Sequence, residues 1–108
     1  MHDLSDRVHT QQLTDARSAR QKLRQSIFDS WQNKCAYCDV VLNPITASLD
    51  HIKPRHKGGK DRVNNLVACC TSCNQSKGSE GWIGWYRDQD FHQIEREGLI
   101  VDWLGNRH

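Results

Sequence analysis

The sequence predicts an α+β fold: a small strand–strand–helix core, stapled by cysteines, between N-terminal helices and a C-terminal helix. Three observations predict it. Two C-x-x-C pairs, Cys35/Cys38 and Cys70/Cys73, bracket the middle of the chain. Between them lie two short β-branched and apolar runs, ITASLDHI and NLVACC, separated by a loop that turns at Gly58-Gly59. On the N-terminal side, Leu23, Ile27 and Trp31 recur at i, i+4 and i+8 on one helical face, with no Gly or Pro between Thr14 and Trp31.

A chain of 108 residues is read as one domain. Its expected parts are a helical extension over 1–33, the stapled core over 34–80 and a helical segment over 81–108. Leu, Ile, Val and Phe make up about a fifth of the residues, so the core is thin, although four tryptophans argue against disorder. The net charge of +2 names no partner, but its distribution does more: Lys53, Arg55, Lys57, Lys60 and Arg62 stand in one short loop opposed only by Asp61. The opening MHDLSDRV carries no apolar run, and no stretch has the length of a membrane span. An intracellular, reducing compartment is therefore expected, with few disulfides.

Taken in order, residues 5 to 33 read as helix, capped by Ser5 or Asp6, with a possible break near Thr10. Its Arg17, Arg20, Lys22 and Arg24 suit either a solvated face or a nucleic-acid contact. CAYCDVVLNP reads as a tight knuckle and a short strand. ITASLDHI is a strand ending before Pro54, KPRHKGGKDRVNN a loop, and NLVACC a strand. TSCNQSK starts a helix with Thr71 or Ser72 near its N-cap and Gly78 near its end. GWIGWYRDQD connects to a last helix over roughly 90 to 104, where Ile94, Val101 and Leu104 share a face around Gly98. Trp82, Trp85 and Trp103 are read as core residues rather than base-stacking platforms.

The cysteine pairs read as one tetrahedral zinc site, because a two-residue spacer lets both thiolates reach one ion at about 2.3 Å. Four protein thiolates leave no open coordination position, so this zinc is structural. A redox pair or plain buried cysteines are the competing readings. Cys69 could replace Cys70 as the partner of Cys73, but Cys70 repeats the first spacing, which leaves Cys69 as a small core residue.

Asp50 and His51 stand together at a strand end, where Pro54 bends the chain. A His can take a proton from water near neutral pH, and an Asp can hold a hard divalent cation through oxygen. Beside a basic loop, that pair suggests metal-assisted attack on a phosphodiester. A strand end with no role is the competing reading. Asn65 opens the NLVACC strand, and Asn74 follows Cys73 in the first turn of the helix that the zinc anchors.

CAYC, LDHIKPRHKGG and NNLVACCTSCNQSKG together resemble the HNH endonucleases, nucleases of the ββα-metal type, over residues 35–78. The resemblance implies a ββα-metal core and a likeness to small phage and bacterial HNH nucleases. It implies that His51 is the general base and that Asn65 steadies the loop and helps orient that base. Asp50 and Asn74 would hold one divalent cation, Mg2+ or Mn2+ or another transition metal, and Asn74 stands where the last His of the family name often stands. Cys35, Cys38, Cys70 and Cys73 match the family's zinc knuckles. DNA is the implied partner, gripped mainly at its phosphates by Lys53, Arg55, His56, Lys57, Lys60 and Arg62, with Lys77 touching DNA or capping its helix. The expected setting is the bacterial cytoplasm or that of a phage-infected host, as monomer or weak dimer. Two other readings compete with the endonuclease: a zinc-stapled module that binds nucleic acid without cutting, and a protein partner of a packaging or repair machine.

Overall fold

The structure, a computed structural model, describes residues 4–105 and the side chains of residues 16–105. Helix α1 spans Leu4–Ser30. Strand β1 is Ala47–His51 and β2 is Leu66–Cys70, with single 3-10 turns at Arg55–Lys57 and Val63–Asn65 between them. Three helices follow: α2 (Thr71–Lys77), α3 (Trp82–Arg87) and α4 (Ile94–Gly105).

The break expected near Thr10 is not there: α1 runs unbroken, with no Gly or Pro to interrupt it. The capping expected at Ser5 or Asp6 lies outside the described side chains. Ile27 and Trp31 are buried with Phe28, and Leu23 packs beside them, so the expected face is the one the core uses. The helix ends at Ser30 rather than 33 because Gln32 and Asn33 turn left-handed, at φ 57° and 56°. Asn33 N–H then donates to Phe28 O at 2.8 Å, and its side-chain amide to Leu42 O at 3.1 Å, which satisfies carbonyls on both sides of the corner.

The two strands are antiparallel, with Asp50 opposite Val67 and His51 opposite Leu66. Every residue of β2 is buried, since α1 and α2 both pack on it. The strand expected after the knuckle is corrected to a single bridge, Lys34 to Val41. Val40 and Val41 are exposed, so burial does not hold that segment in a sheet. The knuckle is tied instead to β2, where Ala36 N–H donates to Ala68 O at 2.8 Å.

Helix α2 is capped by the thiol of Cys70, which accepts from Cys73 N–H at 3.4 Å, and not by Thr71 or Ser72. Gly78 ends it, as expected. The C-terminal region departs further from expectation. GWIGWYRDQD contains a helix of its own, α3, which buries Trp85 and Tyr86. Helix α4 begins only at Ile94, and Ile94 and Val101 are exposed while Ile100 is buried and Trp103 packs on the core. The true inner face runs through Arg96, Ile100 and Trp103, and a polar residue at its start hides that period from an apolar count. Trp103 Nε1 donates to the carbonyls of Val63 and Leu66, both at 2.9 Å, which pins α4 to the entry of β2. Trp82, Trp85 and Trp103 all belong to the core or pack against it. Among the described residues, no helix is long and apolar enough to cross a membrane.

Candidate active site

The knuckle and the first turn of α2 bring four sulfurs together. The Sγ atoms of Cys35, Cys38, Cys70 and Cys73 all lie within 4.8 Å of one another, and Cys38 and Cys70 are 3.8 Å apart. Four sulfurs at about 2.3 Å from one tetrahedral ion would be about 3.8 Å from each other, so the quartet has the right size and donor chemistry for zinc. Burial, and then the charge of Cys35, push the Cys38 thiol up to about 11. Hydrogen bonds from Cys69 and Cys73 hold Cys35 far below the usual thiol range. Sulfurs packed so closely ionise together only around a cation. The cluster could therefore hold zinc. Cys69 stands outside this quartet, fully buried on β2, with its sulfur 3.1 Å from Cys70 O.

A cleft of about 350 Å³ opens where β1 ends against α2, lined by Asp50, His51, Asn74, Pro54, Arg55 and His56 among others. Alternation along the strand separates its two central groups. Asp50 turns inward and is 4% exposed. It accepts from the Tyr37 hydroxyl at 2.6 Å and from Lys77 Nζ at 3.2 Å. Burial pushes its carboxyl above the usual range, against the pull of the Tyr37 hydrogen bond and the Lys77 charge. His51 turns toward solvent, with Nε2 2.7 Å from Asp61 Oδ1. Asn74, on the first turn of α2, donates its amide to Ser48 Oγ at 2.7 Å and Leu49 O at 3.4 Å. With the amide nitrogen so engaged, Asn74 Oδ1 remains an acceptor. A carboxylate and an amide oxygen are the donor types a hard divalent cation takes, and for Asp50 to serve it the cation would have to displace Lys77 or Tyr37 from one of its oxygens.

Residues 35–81 match the model of a family described as HNH endonuclease. The chain carries an HNH endonuclease domain. A CRISPR-associated endonuclease Cas9 of Corynebacterium diphtheriae is 39% identical over 62 residues, which cover 56% of this chain and 6% of that protein. YoqL, a candidate HNH endonuclease of the SPbeta prophage in Bacillus subtilis, is 29% identical over 90 residues, or 74% of this chain and 39% of YoqL. The crystal structure of the Type II-C Cas9 enzyme from Actinomyces naeslundii shares the fold, with a TM-score of 0.64 at 20% identity, over 96% of this chain and 15% of that one. The chain thus spans well under half the length of these relatives.

In this HNH domain Asp50, His51 and Asn74 share one cleft, and Asn65 does not line it. Asn65 instead closes the loop that follows. Its Oδ1 accepts from Lys53 N–H at 2.8 Å, and its Nδ2 donates to Lys53 O and Lys60 O, both at 3.0 Å. The paired glycines are needed in that loop. Gly58 has φ 91°, and a Cβ on Gly59 would stand 1.7 Å from Lys53 O. Lys53, Arg55, His56, Lys57, Lys60 and Arg62 are exposed on it.

Lys77 is corrected. It is neither a DNA contact nor a helix-end cap but a side chain 1% exposed, bonded to Asp50 and to His51 O. A lysine in a polar heptapeptide gives no sign of such burial.

Three further residues of the site were not singled out from the sequence. Tyr37 sits between two cysteines, where nothing distinguishes a core tyrosine from a linker. Arg96 donates from Nε to Ala36 O and from Nη2 to Cys35 O, both at 2.9 Å, and pairs with Asp39 at 2.8 Å, so α4 grips the knuckle from outside. Asp61 had one legible sign: it is the lone acid in a loop of five bases.

Proposed function

We propose that this domain is a metal-dependent DNA endonuclease that hydrolyses phosphodiester bonds with His51 as general base. The observation that carries the reading is one cleft lined by Asp50, His51 and Asn74 and bordered by an exposed basic loop. The names of the relatives support the same reaction class.

His51 takes a proton from a water molecule, whose oxygen attacks the phosphorus in line with the departing 3′ oxygen. The products are a 5′-phosphate and a 3′-hydroxyl. A divalent cation held by Asp50 and Asn74, when bound, supplies positive charge for the phosphate and the leaving oxygen. Lys53, Lys57, Lys60 and Arg62 hold flanking phosphates, which gives affinity without sequence reading. Asn65 keeps the loop that carries these cations in one shape. Cys35, Cys38, Cys70 and Cys73 would hold zinc and thereby fix α2, and with it Asn74, against the strand pair.

Supercoiled plasmid incubated with the protein tests the reading. Nicked or linear product is expected with Mg2+ or Mn2+ and none with EDTA. Product formation that ignores both metal and chelator would remove the divalent cation from the mechanism, and no product under any metal, from a zinc-loaded folded protein that binds DNA, would replace the enzyme by a binding module.

A further inference from the structure

Asp61 is an acid where the loop otherwise gathers bases, and its carboxylate is aimed at the catalytic histidine. Its Oδ1 lies 2.7 Å from His51 Nε2. Arg55 grips both carboxylate oxygens, with Nε 3.1 Å from Oδ1 and Nη2 2.8 Å from Oδ2. Asn65 holds the carbonyl of Lys60, the residue before Asp61, at 3.0 Å. The carboxylate is thus fixed from both sides.

The proton between Asp61 and His51 can be assigned by chemistry. A carboxylate gripped on both oxygens by Arg55 is ionised near neutral pH and can only accept. Nε2 must then carry the hydrogen. Arg55 Nε also lies 3.3 Å from Nε2, but a nitrogen that donates to Asp61 cannot accept from Arg55, so the guanidinium bonds to Asp61 alone. Among the described residues no group is hydrogen-bonded to Nδ1, and His51 lines the cleft.

We propose that Asp61 is the positioning residue of the general base: its carboxylate keeps the hydrogen on His51 Nε2 and leaves Nδ1 as the nitrogen that takes the proton from water. The inference rests on His51 being the base. It also gives Asn65 its part, which is to hold the loop that presents Asp61 rather than to touch the imidazole. In the reaction, one water proton passes to Nδ1, the O–P bond forms and the P–O3′ bond breaks. The 3′ oxygen then takes a proton from solvent. The imidazolium, now carrying both hydrogens, stays paired with Asp61 until Nδ1 returns its proton to solvent.

An acid costs a phosphate-binding loop some of its attraction for DNA. A loop meant only for binding gains nothing from Asp61, whereas an oriented base does.

The test reads the tautomer directly, on the full zinc-loaded chain without catalytic metal. Long-range proton–nitrogen NMR spectra with 15N-labelled histidine distinguish Nε2–H from Nδ1–H, and the His51 signals are assigned by their loss in His51→Ala. Wild type is expected to show His51 as Nε2–H. Asp61→Ala is expected to mix the tautomers and lower kcat tenfold or more, with KM for DNA unchanged or lower. Asp61→Asn, which still offers an oxygen, is expected to restore both tautomer and most of the rate. A wild-type Nδ1–H tautomer, an Asp61→Ala tautomer like that of wild type, or an Asp61→Ala kcat within twofold of wild type would each overturn the proposal. Failure of the underlying reading looks different: His51→Ala would then cut at the wild-type rate whatever the tautomer.

Discussion

Lys77 and Asp50 form a buried ion pair within the site, and the balance of terms there is unforgiving. Both side chains are nearly dry, at 1% and 4% exposed. Removing one partner leaves a buried charge without compensation. Lys77→Met should therefore cost about 3 kcal/mol or more in urea unfolding of the zinc-loaded protein. The salt dependence of DNA binding should not change, because Lys77 reaches no surface. A stability within about 1 kcal/mol of wild type with a shallower salt slope would return Lys77 to the surface role first expected of it. Glu97 gives a milder, pH-dependent case. Arg87 first, and then His92, hold its carboxyl down to about 2. A depressed carboxyl stabilises the fold above its unfolded value, and that contribution fades as pH falls from 4.5 toward about 2. Glu97→Gln should lower the melting temperature slightly at pH 7, with the difference from wild type closing across that window. A constant difference down to pH 2 would mean the effect is packing rather than charge. At this scale the sequence singled out Asp50, His51, Asn74 and the cysteines, because each belongs to a pattern with a chemical reason, and the structure puts the first three along one cleft and four of the sulfurs together. It hid Tyr37, Lys77, Arg96 and Asp61, whose importance comes from partners 10 to 61 residues away.

Among elements, the loop between β1 and β2 has the most distinct physics. It is closed by Asn65, turned by Gly58 and Gly59, and lined with exposed cations. Even so, not every cation is free: Lys57 Nζ donates to Ser79 O at 3.0 Å, and Arg55 is occupied by Asp61. Replacing Lys57 and Lys60 together with Ala should weaken DNA binding at all sequences alike. The slope of log affinity against log salt should become shallower by roughly one unit for each phosphate no longer neutralised. An unaltered slope would make both residues plain solvated surface. The two strands and α2 were legible because short β-branched runs, a Gly-Gly turn and a C-x-x-C register all pointed the same way. The short strand expected after the CAYC knuckle failed because Val40 and Val41 find no covering layer. The C-terminal helix was misjudged because Tyr86 and Trp85 anchor a separate short helix, and because Arg96 rather than an apolar residue begins the inner face of α4.

At the scale of the whole molecule, the four clustered cysteines are expected to act as a metal staple. The core is one small cluster around β2, joined by the buried face of α1 and by aromatic contacts such as Tyr37 with Trp85 at 5.0 Å. Zinc in the quartet would add folding free energy on the order of 10 kcal/mol, large beside what so small a core supplies. One tightly held zinc per chain is expected, and strong chelation should unfold the domain. Cys69→Ser should leave the metal content unchanged, since its sulfur lies outside the quartet. A folded protein without zinc, or zinc released by Cys69→Ser, would contradict a structural staple of these four cysteines. The cleft at the end of β1 is held to cut DNA through His51. The most direct measurement is single-turnover plasmid cleavage by His51→Ala and wild type in parallel, with zinc content and DNA affinity measured on the same samples. Unchanged zinc, unchanged affinity and a rate lower by two or more orders of magnitude are predicted, roughly the range for loss of a general base. Cleavage by His51→Ala at the wild-type rate would contradict that role.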